Sequence, residues 1–392
     1  MYHSEELPLI SLFSGAGGLD LGLEQAGFTT RIAVEIDKWA RETLRSNQQL
    51  KAFRKNDFPI LDDILAYEPK EIVARSGLAR GEAFLVAGGP PCQSFSTAGR
   101  RQSIGDPRGS LFANFAAVVE AAQPRFFIME NVRGILSAAI KHRPLLERGI
   151  ADQPLEPEER PGSAFTVIRE VLEDHLAYQL TFGIVDAADY GVPQNRLRVI
   201  ILGSRDHEFL TSELAHVVAP THRGRWKTLR TAISPIPCDP REFLPYSPER
   251  AELLSHIPAG KNWRWFRDSP EFGHAFTEKA MGGAWFAEGG KVGFFRRLSW
   301  DKPSPTLTTS PIQKSTSLCH PVETRPLSVQ EYAAIQQFPQ SYVFSGGTGQ
   351  RYKQIGNAVP VGLGAAVGFG LLSVTEPSEF VGQHRLFEAA GA

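Results

Sequence analysis

The first 27 residues constrain the fold most, because they read as a strand, a glycine turn and a helix with no spacer between them. Residues 8–13 form an apolar run of strand length, and Ser-Gly-Ala-Gly-Gly follows it directly at residues 14–18. Apolar side chains then recur at helical spacing from Leu19 to Ala26, and Gly27 ends the helix. This order predicts an α/β unit whose glycine turn lets a ligand approach the backbone, beside the free N–H groups of the helix.

A second strand, residues 30–34, ends in Glu35, which lies about 20 residues beyond the glycine turn. Nucleotide-binding α/β folds place an acid at this point, where it accepts hydrogen bonds from ribose hydroxyls. Glycines alone indicate no more than a tight turn. Together with Glu35 they favour a nucleoside-type ligand, and Asp62-Asp63-Ile64 closes a third unit of the same kind.

Two later strands end in side chains that can carry out chemistry. Residues 83–87 lead into Gly-Gly-Pro-Pro and then Cys92, and residues 125–129 lead into Glu130. Ligands of an open parallel sheet sit outside the carboxyl ends of its strands, so we expect Cys92 and Glu130 to face one crevice. A lone cysteine is more often a buried thiol and a lone acid a helix cap, but their shared position favours a nucleophile and an acid.

A polar segment, residues 190–198, separates two further predicted strands, residues 178–185 and 197–202. Because side chains two apart lie on one face of a strand, Arg196 and Arg198 are predicted to point the same way. Paired arginines can orient an oxygen-bearing ligand, or they can be ordinary charges that face solvent.

The pattern changes between residues 204 and 299, where prolines, glycines and tryptophans replace the alternation of strands and helices. This change predicts a separate, irregular, β-rich domain. Its basic and aromatic mixture suits nucleic acid, although the same tryptophans could form plain core. Helical spacing returns at residues 327–336, where Ser328 and Glu331 match a capping box. The basic cluster of this region contains no acid and comprises Arg223, Arg225, Lys227 and Arg230.

Composition narrows the class of protein. The 392 residues carry a net charge of -1, with 42% hydrophobic and 22% charged residues, as expected of a globular protein of two domains. Cys92, Cys238 and Cys319 are far apart and no C-x-x-C occurs, which argues against a disulfide framework or structural zinc and favours a reducing compartment. The acidic N-terminus does not match a signal peptide. The apolar stretch 358–374 carries Pro360 and four glycines, so we expect a buried helix rather than a membrane span.

Taken together, these stretches resemble the motifs of the cytosine-C5 DNA methyltransferases. Residues 13–18 are similar to the family's cofactor loop, and Pro91-Cys92-Gln93 is similar to its nucleophile motif. Glu130-Asn131-Val132 resembles the acid motif, and residues 194–198 resemble the Q-x-R-x-R motif. The last two blocks of the family match at residues 325–339 and 354–357, and the motifs occur in family order over residues 9–370.

The resemblance implies a fold and a domain division. The fold is α/β, a Rossmann-like methyltransferase fold with a mostly parallel, doubly wound sheet, accompanied by a smaller, irregular, β-rich target-recognition domain. The implied catalytic and cofactor-binding domain comprises residues 1–204 and 320–392. The implied target-recognition domain comprises residues 205–319, where the family keeps its variable region.

The resemblance also implies a mechanism. Cytosine C5 is a poor nucleophile, and addition of the Cys92 thiolate to C6 would make C5 enamine-like. Glu130 would hold the N3 and N4 edge of the base and promote protonation at N3. Arg198 would contact the carbonyl oxygen of the base, and Arg196 would support the Cys92 side. Loss of the C5 proton would then expel Cys92.

The implied cofactor is S-adenosylmethionine, with S-adenosylhomocysteine as the product and no metal. Phe13 is expected to stack on the adenine, Glu35 to bind the ribose hydroxyls, and Asp63 and Ile64 to meet the adenine. Ile36 stands where some family members have an aromatic residue. The remaining implied cofactor contacts are Ser14, Gly15, Ala16, Gly17, Gly18, Leu19, Ile36, Pro90, Leu111, Asn357 and Val359.

The implied substrate is double-stranded DNA, with the target cytosine flipped out of the helix. Residues 93–110 are expected to close on the DNA, and Arg225 is expected to contact it from the recognition domain. We further expect a cytoplasmic monomer without a membrane anchor, and a restriction endonuclease that acts on the same site. The expected DNA contacts in the closing loop are Gln93, Ser96, Arg100 and Arg101.

Three alternatives stay open. A tRNA cytosine-C5 methyltransferase has the same fold, but that branch typically carries a Cys-Phe-Thr motif, whereas Cys238 precedes Asp and Cys319 precedes His here. A nicotinamide-dependent oxidoreductase would account for residues 15–35 but not for Cys92 or the arginine motif. A catalytically inactive DNA-binding relative would not need both Cys92 and Glu130.

Overall fold

A computed structural model describes residues 6–91, 111–141, 143, 154–206, 216–236, 241–286 and 291–375. The chain divides into two compact units. Unit 1 comprises Met1–Asp186, Leu197–Pro220 and Gly364–Ala392. Unit 2 comprises Ala187–Arg196 and Thr221–Leu363.

The regular elements of the described residues are numbered along the chain. The strands are β1 (Leu7–Leu12), β2 (Phe28–Val34), β3 (Ile60–Leu61), β4 (Leu85–Gly88), β5 (Phe126–Val132), β6 (Gln179–Asp186), β7 (Gln194–Asn195), β8 (Leu197–Ser204) and β9 (Ser304–Pro305). The helices are α1 (Gly18–Gln25), α2 (Lys38–Gln49), α3 (Pro69–Arg75), α4 (Leu111–Ala122), α5 (Ser163–Glu170), α6 (Leu229–Ile233), α7 (Pro248–Ser255), α8 (Arg264–Asp268), α9 (Gly273–Met281), α10 (Val329–Ile335), α11 (Thr348–Asn357) and α12 (Val361–Thr375).

Unit 1 is built on a seven-stranded sheet in the order β3-β2-β1-β4-β5-β8-β6. The five strands from β3 to β5 are parallel, whereas β8 runs antiparallel to both β5 and β6. The strand order reverses between β1 and β4, which is the topological switch point where α/β sheets bind ligands. The predicted α/β fold with a mostly parallel sheet is therefore confirmed.

The register of the sheet brings the carboxyl ends of four parallel strands to the same edge. Leu12 pairs with both Val34 and Gly88, and Gly88 pairs with Met129, so β1, β2, β4 and β5 end at one edge. Because β8 is antiparallel, it begins where β5 ends, and Val132 pairs with Arg198. The first residues of β8 therefore share the edge that carries the carboxyl ends of the parallel strands.

The core of unit 1 explains why its strands read as continuous apolar runs. Both faces of a parallel sheet are covered, so strand residues on each face are buried. Phe127 on β5 lies opposite Gly203 on β8, and a Cβ at residue 203 would overlap the Phe127 ring. Helix α12 packs against α1 through small residues, since a Cβ at Gly368 would lie 2.7 Å from the Ala26 Cβ.

Unit 2 has little sheet. Its strands β7 and β9 form a two-stranded parallel ladder in which Gln194 pairs with Ser304. The described part of residues 205–319 is irregular, as expected, but its regular elements are mainly the helices α6 to α9. The expectation of a β-rich region is therefore wrong for these residues, because short helices with apolar faces supply the core, which includes Leu254, Ile257 and Phe266.

One helical stretch of the described residues, 348–375, is long and apolar enough to cross a membrane on composition alone. Within its most apolar window, 61% is buried in the protein. A core helix passes the same test, so the stretch is weak evidence for a membrane span.

Candidate active site

The turn after β1 has the backbone that its glycines predict. Gly15 and Gly17 have φ values of 56° and 79°, a region that favours glycine, and α1 begins at Gly18. Phe13 also has a positive φ of 55°, which costs an ordinary residue about 1 kcal/mol. The Ser14 N–H donates to the Val34 carbonyl at 3.2 Å and ties the turn to β2. The turn is thus fixed by a hydrogen bond at the switch point, in a conformation that leaves its backbone accessible.

Glu35 is the acid of this site and is 9% exposed. Its Oε2 accepts from the Gly15 N–H at 2.7 Å, and its Oε1 accepts from the Asp37 N–H at 2.7 Å. Burial raises the pKa of this carboxyl above its usual range, while the two backbone donors oppose the shift. Each oxygen keeps a lone pair, so the carboxylate suits the hydroxyls of a ribose.

The residues after Glu35 are fixed by an arginine that the sequence did not suggest. The Arg41 Nη1 donates to the carbonyl of Glu35 at 2.9 Å and to that of Ile36 at 2.7 Å. The Ile36 side chain is 69% exposed and available to a ligand. The sequence offers one signal for this role of Arg41, which is its position in the first turn of α2, the helix that follows Glu35.

The third strand unit contributes a cap and a core residue. Asp63 accepts from the Leu65 N–H at 3.0 Å and caps a short 3-10 turn. Ile64 is 5% exposed and belongs to the core of unit 1, and its contact with adenine stays a prediction. Leu111 is half-buried at the start of α4.

Glu130 and Arg198 form the closest charged pair at the sheet edge. The Arg198 Nε lies 2.6 Å from the Glu130 Oε1, and both side chains are 12% exposed. A Cβ at Gly89 would lie 3.1 Å from the Glu130 Oε2, so only glycine leaves the carboxylate undisturbed. The pair presents a carboxylate and a guanidinium side by side, which can bind the edge of a planar base.

Asn131 connects this pair to the segment that leads to Cys92. Its Nδ2 donates to the Pro90 carbonyl at 2.9 Å, and its Oδ1 accepts from the Val132 N–H at 2.8 Å. The side chain is buried. The sequence analysis assigns Asn131 to the acid motif but gives it no role. Its position directly after Glu130 was the feature that could have indicated one.

Arg196 lies before β8 and belongs to unit 2, unlike Arg198. Its guanidinium is 2% exposed and donates to the carbonyls of Leu307 at 3.2 Å and Gly356 at 3.0 Å. A longer contact of 3.4 Å reaches the Asn357 carbonyl. Arg196 and Arg198 therefore bind different partners, backbone carbonyls of unit 2 for Arg196 and the Glu130 carboxylate for Arg198.

Other predicted residues lie in unit 2 or outside the described residues. Asn357 is exposed and Val359 is half-buried in unit 2. Arg225 is exposed beside Trp226, whose Nε1 donates to the Asp189 Oδ1 at 2.8 Å. The described residues contain no group of three or more potential metal ligands. The predicted site residues outside the described part are Cys92, Gln93, Ser96, Arg100 and Arg101.

A model of the family described as C-5 cytosine-specific DNA methylase matches residues 7–371. The chain belongs to this family. It is a DNA (cytosine-5) methyltransferase, which transfers a methyl group to C5 of cytosine in DNA, and its family uses S-adenosylmethionine as the donor. The predicted family and activity are thereby confirmed, and the DNA substrate is supported over the tRNA alternative.

Known members of the C-5 cytosine-specific DNA methylase family resemble the chain over most of its length. The Type II methyltransferase M.Sau96I of Staphylococcus aureus is 37% identical over 369 residues, 94% of this chain and 76% of the relative. M.PspPI of Psychrobacter sp. is 38% identical over 377 residues, 94% of this chain and 80% of the relative. The crystal structure of S. pombe Dnmt2 methyltransferase shares the fold, with a TM-score of 0.55, 18% identity, and coverage of 96% of this chain and 100% of that one.

Proposed function

We propose that this enzyme methylates a flipped-out cytosine within a specific duplex sequence, through a covalent bond between Cys92 and C6 of the base. The observation that carries the proposal is the ion pair of Glu130 and Arg198 at the sheet edge, next to the segment that leads to Cys92. A carboxylate and a guanidinium can bind both hydrogen-bonding edges of cytosine.

The proposed reaction begins with the thiolate of Cys92. Its electron pair forms a bond to C6, the electrons of the C5–C6 double bond form a C4–C5 double bond, and the electrons of the C4–N3 double bond take up a proton at N3. Glu130 hydrogen-bonds N3 and N4 and favours this protonation, and Arg198 stabilises the carbonyl oxygen. After C5 is methylated, loss of the C5 proton restores the double bond and the C6–S bond breaks.

Asn131 and Gly89 serve this chemistry by position. Asn131 fixes the carbonyl of Pro90, two residues before Cys92, relative to the strand that carries Glu130. Gly89 leaves the space that the Glu130 carboxylate occupies. Both effects set the distance between nucleophile and acid, and errors of about 1 Å in such a distance are costly.

The turn after β1 is the proposed site for S-adenosylmethionine, which supplies an electrophilic methyl group when bound. Glu35 would accept hydrogen bonds from the ribose, and Phe13 would stack on the adenine. Pro90, Ile36, Ile64, Asp63 and Leu111 would complete the pocket from unit 1. Asn357 and Val359 are proposed as further contacts of the cofactor, and Arg196 as the residue that holds the backbone of Asn357. No metal takes part in the proposed reaction.

The proposed biological role is protection of host DNA in a restriction–modification system. Type II methyltransferases are the relatives that support it. The catalytic domain is proposed as residues 1–204 and 320–392, with target recognition in residues 205–319. Arg225 beside the exposed Trp226 offers a charge and a stacking surface for DNA. We propose that the enzyme is a cytoplasmic monomer with a partner endonuclease for the same site.

The decisive experiment traps the covalent bond. Duplex DNA with 5-fluorocytosine at the target position lacks the C5 proton, so the C6–S bond cannot break after methyl transfer. Incubation with the cofactor should give an adduct that survives denaturing electrophoresis, and Cys92→Ser should abolish both the adduct and transfer of labelled methyl to DNA. The matched control, Cys319→Ala, removes a buried thiol of unit 2 and should leave both intact.

A second pair of variants tests the acid. Glu130→Gln should lower kcat by about 100-fold or more, because an amide cannot favour protonation at N3. Glu120→Gln on the exposed side of α4 should leave kcat unchanged. Methyl transfer to tRNA alone, or adduct formation by Cys92→Ser, would contradict the proposal. Bisulfite sequencing of DNA from an expressing host would identify the methylated sequence.

A further inference from the structure

Three side chains form a hydrogen-bonded chain that ends at the cofactor turn. Asp20 lies in the first turn of α1, and its Oδ1 is 2.6 Å from the Ser11 Oγ. The Ser11 Oγ is in turn 2.7 Å from the Ser14 Oγ. Ser14 is a residue of the turn itself, so the chain connects a buried acid to the proposed cofactor site.

The acid at the inner end of the chain is incompletely satisfied. Asp20 is 1% exposed, and its Oδ2 has no hydrogen-bond partner among the described residues. A buried carboxyl without a cation beside it is costly to ionise. The surroundings of Asp20 therefore do not stabilise its ionised form by an ion pair. The charged groups that face Asp20 are Glu24 of α1 and Glu35 after β2, and both are acids. Helix α12, which packs on α1, has no titratable side chain.

The direction of the chain depends on whether Asp20 carries a proton. A serine hydroxyl has one proton to donate. When Asp20 is ionised, Ser11 donates to it and Ser14 donates to Ser11, so Ser14 presents only lone pairs to the turn. When Asp20 is neutral and donates to Ser11, Ser11 donates to Ser14, and the Ser14 proton points into the turn.

Both states are populated near neutral pH. Burial raises the pKa of Asp20 to about 7, the Ser11 hydrogen bond opposes this shift, and the negative charges of Glu24 and Glu35 add to it. A ligand that prefers one direction of the hydroxyl chain therefore has a binding free energy that varies with pH.

We propose that Asp20 is a positioning residue that acts through Ser11 to make the Ser14 hydroxyl a hydrogen-bond acceptor, and that this state favours S-adenosylmethionine over S-adenosylhomocysteine. The inference rests on the proposed function, which places Ser14 beside the cofactor. The substrate form carries a positive sulfonium and the product form a neutral thioether, so an acceptor with a buried negative charge behind it discriminates between them. A cation stabilises the ionised acid, so the preference grows as pH rises.

The test is the ratio of two dissociation constants, measured by calorimetry on the full chain at pH 6.0 and 8.5. The sulfonium lowers the pKa of the amino group of S-adenosylmethionine relative to that of the product, so each ratio is divided by the ratio of Asp20→Asn at the same pH, in which this ligand titration is the same. In the wild type the preference for S-adenosylmethionine should rise by about fivefold between these pH values, as expected when binding lowers the pKa of Asp20 by about one unit from about 7. Asp20→Asn cannot ionise, so its ratio changes with pH only through the ligands and serves as the reference.

Ser11→Ala provides a second test that keeps the Asp20 carboxyl, and it also serves if Asp20→Asn does not fold. It breaks the chain and removes the hydrogen bond that opposes the raised pKa of Asp20, so its ratio should rise with pH by less than half as much as in the wild type. Glu24→Gln is the matched control, because Glu24 is a buried acid of the same helix that accepts from the backbone of Thr30 and Arg54 instead. Its ratio should still rise with pH, with a lower midpoint than in the wild type, because one of the charges that raise the pKa of Asp20 is removed.

Distinct outcomes separate this inference from the proposed function. A wild-type ratio that is constant with pH, or a Ser11→Ala ratio that varies as in the wild type, overturns the role of Asp20 alone. Loss of the pH dependence in Glu24→Gln also overturns it, since a general effect of buried acids would then account for the data. Absence of binding at every pH overturns the cofactor site itself.

Discussion

The two units satisfy their backbone in different ways. In unit 1, strand pairing provides partners for most backbone groups of the sheet, and the interior is largely hydrocarbon. In unit 2, arginine side chains reach inward to carbonyls that no strand pairs. Arg297 is 4% exposed and donates to the carbonyls of Ile257, Leu254, His320, Val322 and Glu323.

The difference follows from what an irregular chain lacks. Every buried carbonyl needs a donor, and a sheet provides donors at regular intervals. A guanidinium carries five N–H donors, so one arginine can replace a length of missing strand. Unit 2 repeats this arrangement with Arg196, whose partners are the carbonyls of Leu307 and Gly356. Buried carbonyls of unit 2 therefore receive hydrogen bonds from arginine side chains, whereas those of the sheet in unit 1 receive them from neighbouring strands.

The largest expected effect comes from Arg297→Met, which keeps the apolar stem and removes every donor. It should lower the free energy of unfolding by about 4 kcal/mol, because several buried carbonyls lose their partner at once. Urea denaturation would measure the loss. The control Arg264→Met changes an exposed arginine that stacks on Trp263 and should stay within about 0.5 kcal/mol of the wild type. A loss below about 1 kcal/mol for Arg297→Met would mean that water satisfies these carbonyls.

The second prediction concerns pH. His320 is buried in unit 2, and its Nδ1 accepts from the backbone N–H of Glu323 at 3.0 Å and of Val322 at 3.3 Å. Burial lowers the pKa of His320 to about 4, although Glu331 opposes the shift. The unfolded chain therefore takes up the proton first, and stability falls as pH drops from about 6.5 to 4, by about 3 kcal/mol for this residue.

His320→Asn should remove this part of the pH dependence, because an amide oxygen can accept the same hydrogen bonds and does not titrate. Urea denaturation at several pH values between 4.5 and 7.5 would compare the variant with the wild type and with the exposed-residue control His256→Asn. Identical slopes for His320→Asn and the wild type would refute the prediction. Unit 1 contains the opposite case, since the raised pKa of Asp20 makes that residue destabilising as pH rises from about 4 to 7.

The smallest of the three effects lies in unit 1. Gly203→Ala places a methyl group in the volume of the Phe127 ring and should cost about 2 kcal/mol. Phe127→Leu should restore part of this loss in the double variant, because the smaller side chain makes room. Gly134→Ala, with only the Val132 side chain 3.9 Å away, is the matched control for thermal denaturation. Additive losses in the double variant would show that the sheet moves instead of the ring.

Much of unit 1 could be predicted because its signals are local. The strand ends that carry Phe13, Glu35 and Glu130 follow from apolar runs and the rule that ligands bind at carboxyl ends of strands. The family resemblance then supplied roles. Asp20 and Asn131 were not recognised, because their importance depends on partners that are distant in the fold and invisible in the pattern.

Unit 2 was harder to predict. The aromatic residues between 263 and 285 favour strands by propensity, but Phe266 packs against Phe272 and Phe276 in a helical cluster. Ser247 followed by Pro248 is a helix start signal that the change in composition obscured. Arg196 and Arg198 are equivalent on spacing, and only their partners in the structure distinguish them, backbone carbonyls for Arg196 and a carboxylate for Arg198.

The path of the chain has a consequence for swapping sequence specificity between relatives. The polypeptide crosses from one unit to the other after Asp186, Arg196, Pro220 and Leu363. A graft of residues 221–363 alone would import the Leu307 and Gly356 carbonyls and leave their own Arg196 behind. Chimeras built at these boundaries should therefore carry residues 187–196 along with the graft, so that the buried carbonyls of Leu307 and Gly356 keep the arginine with which they pair.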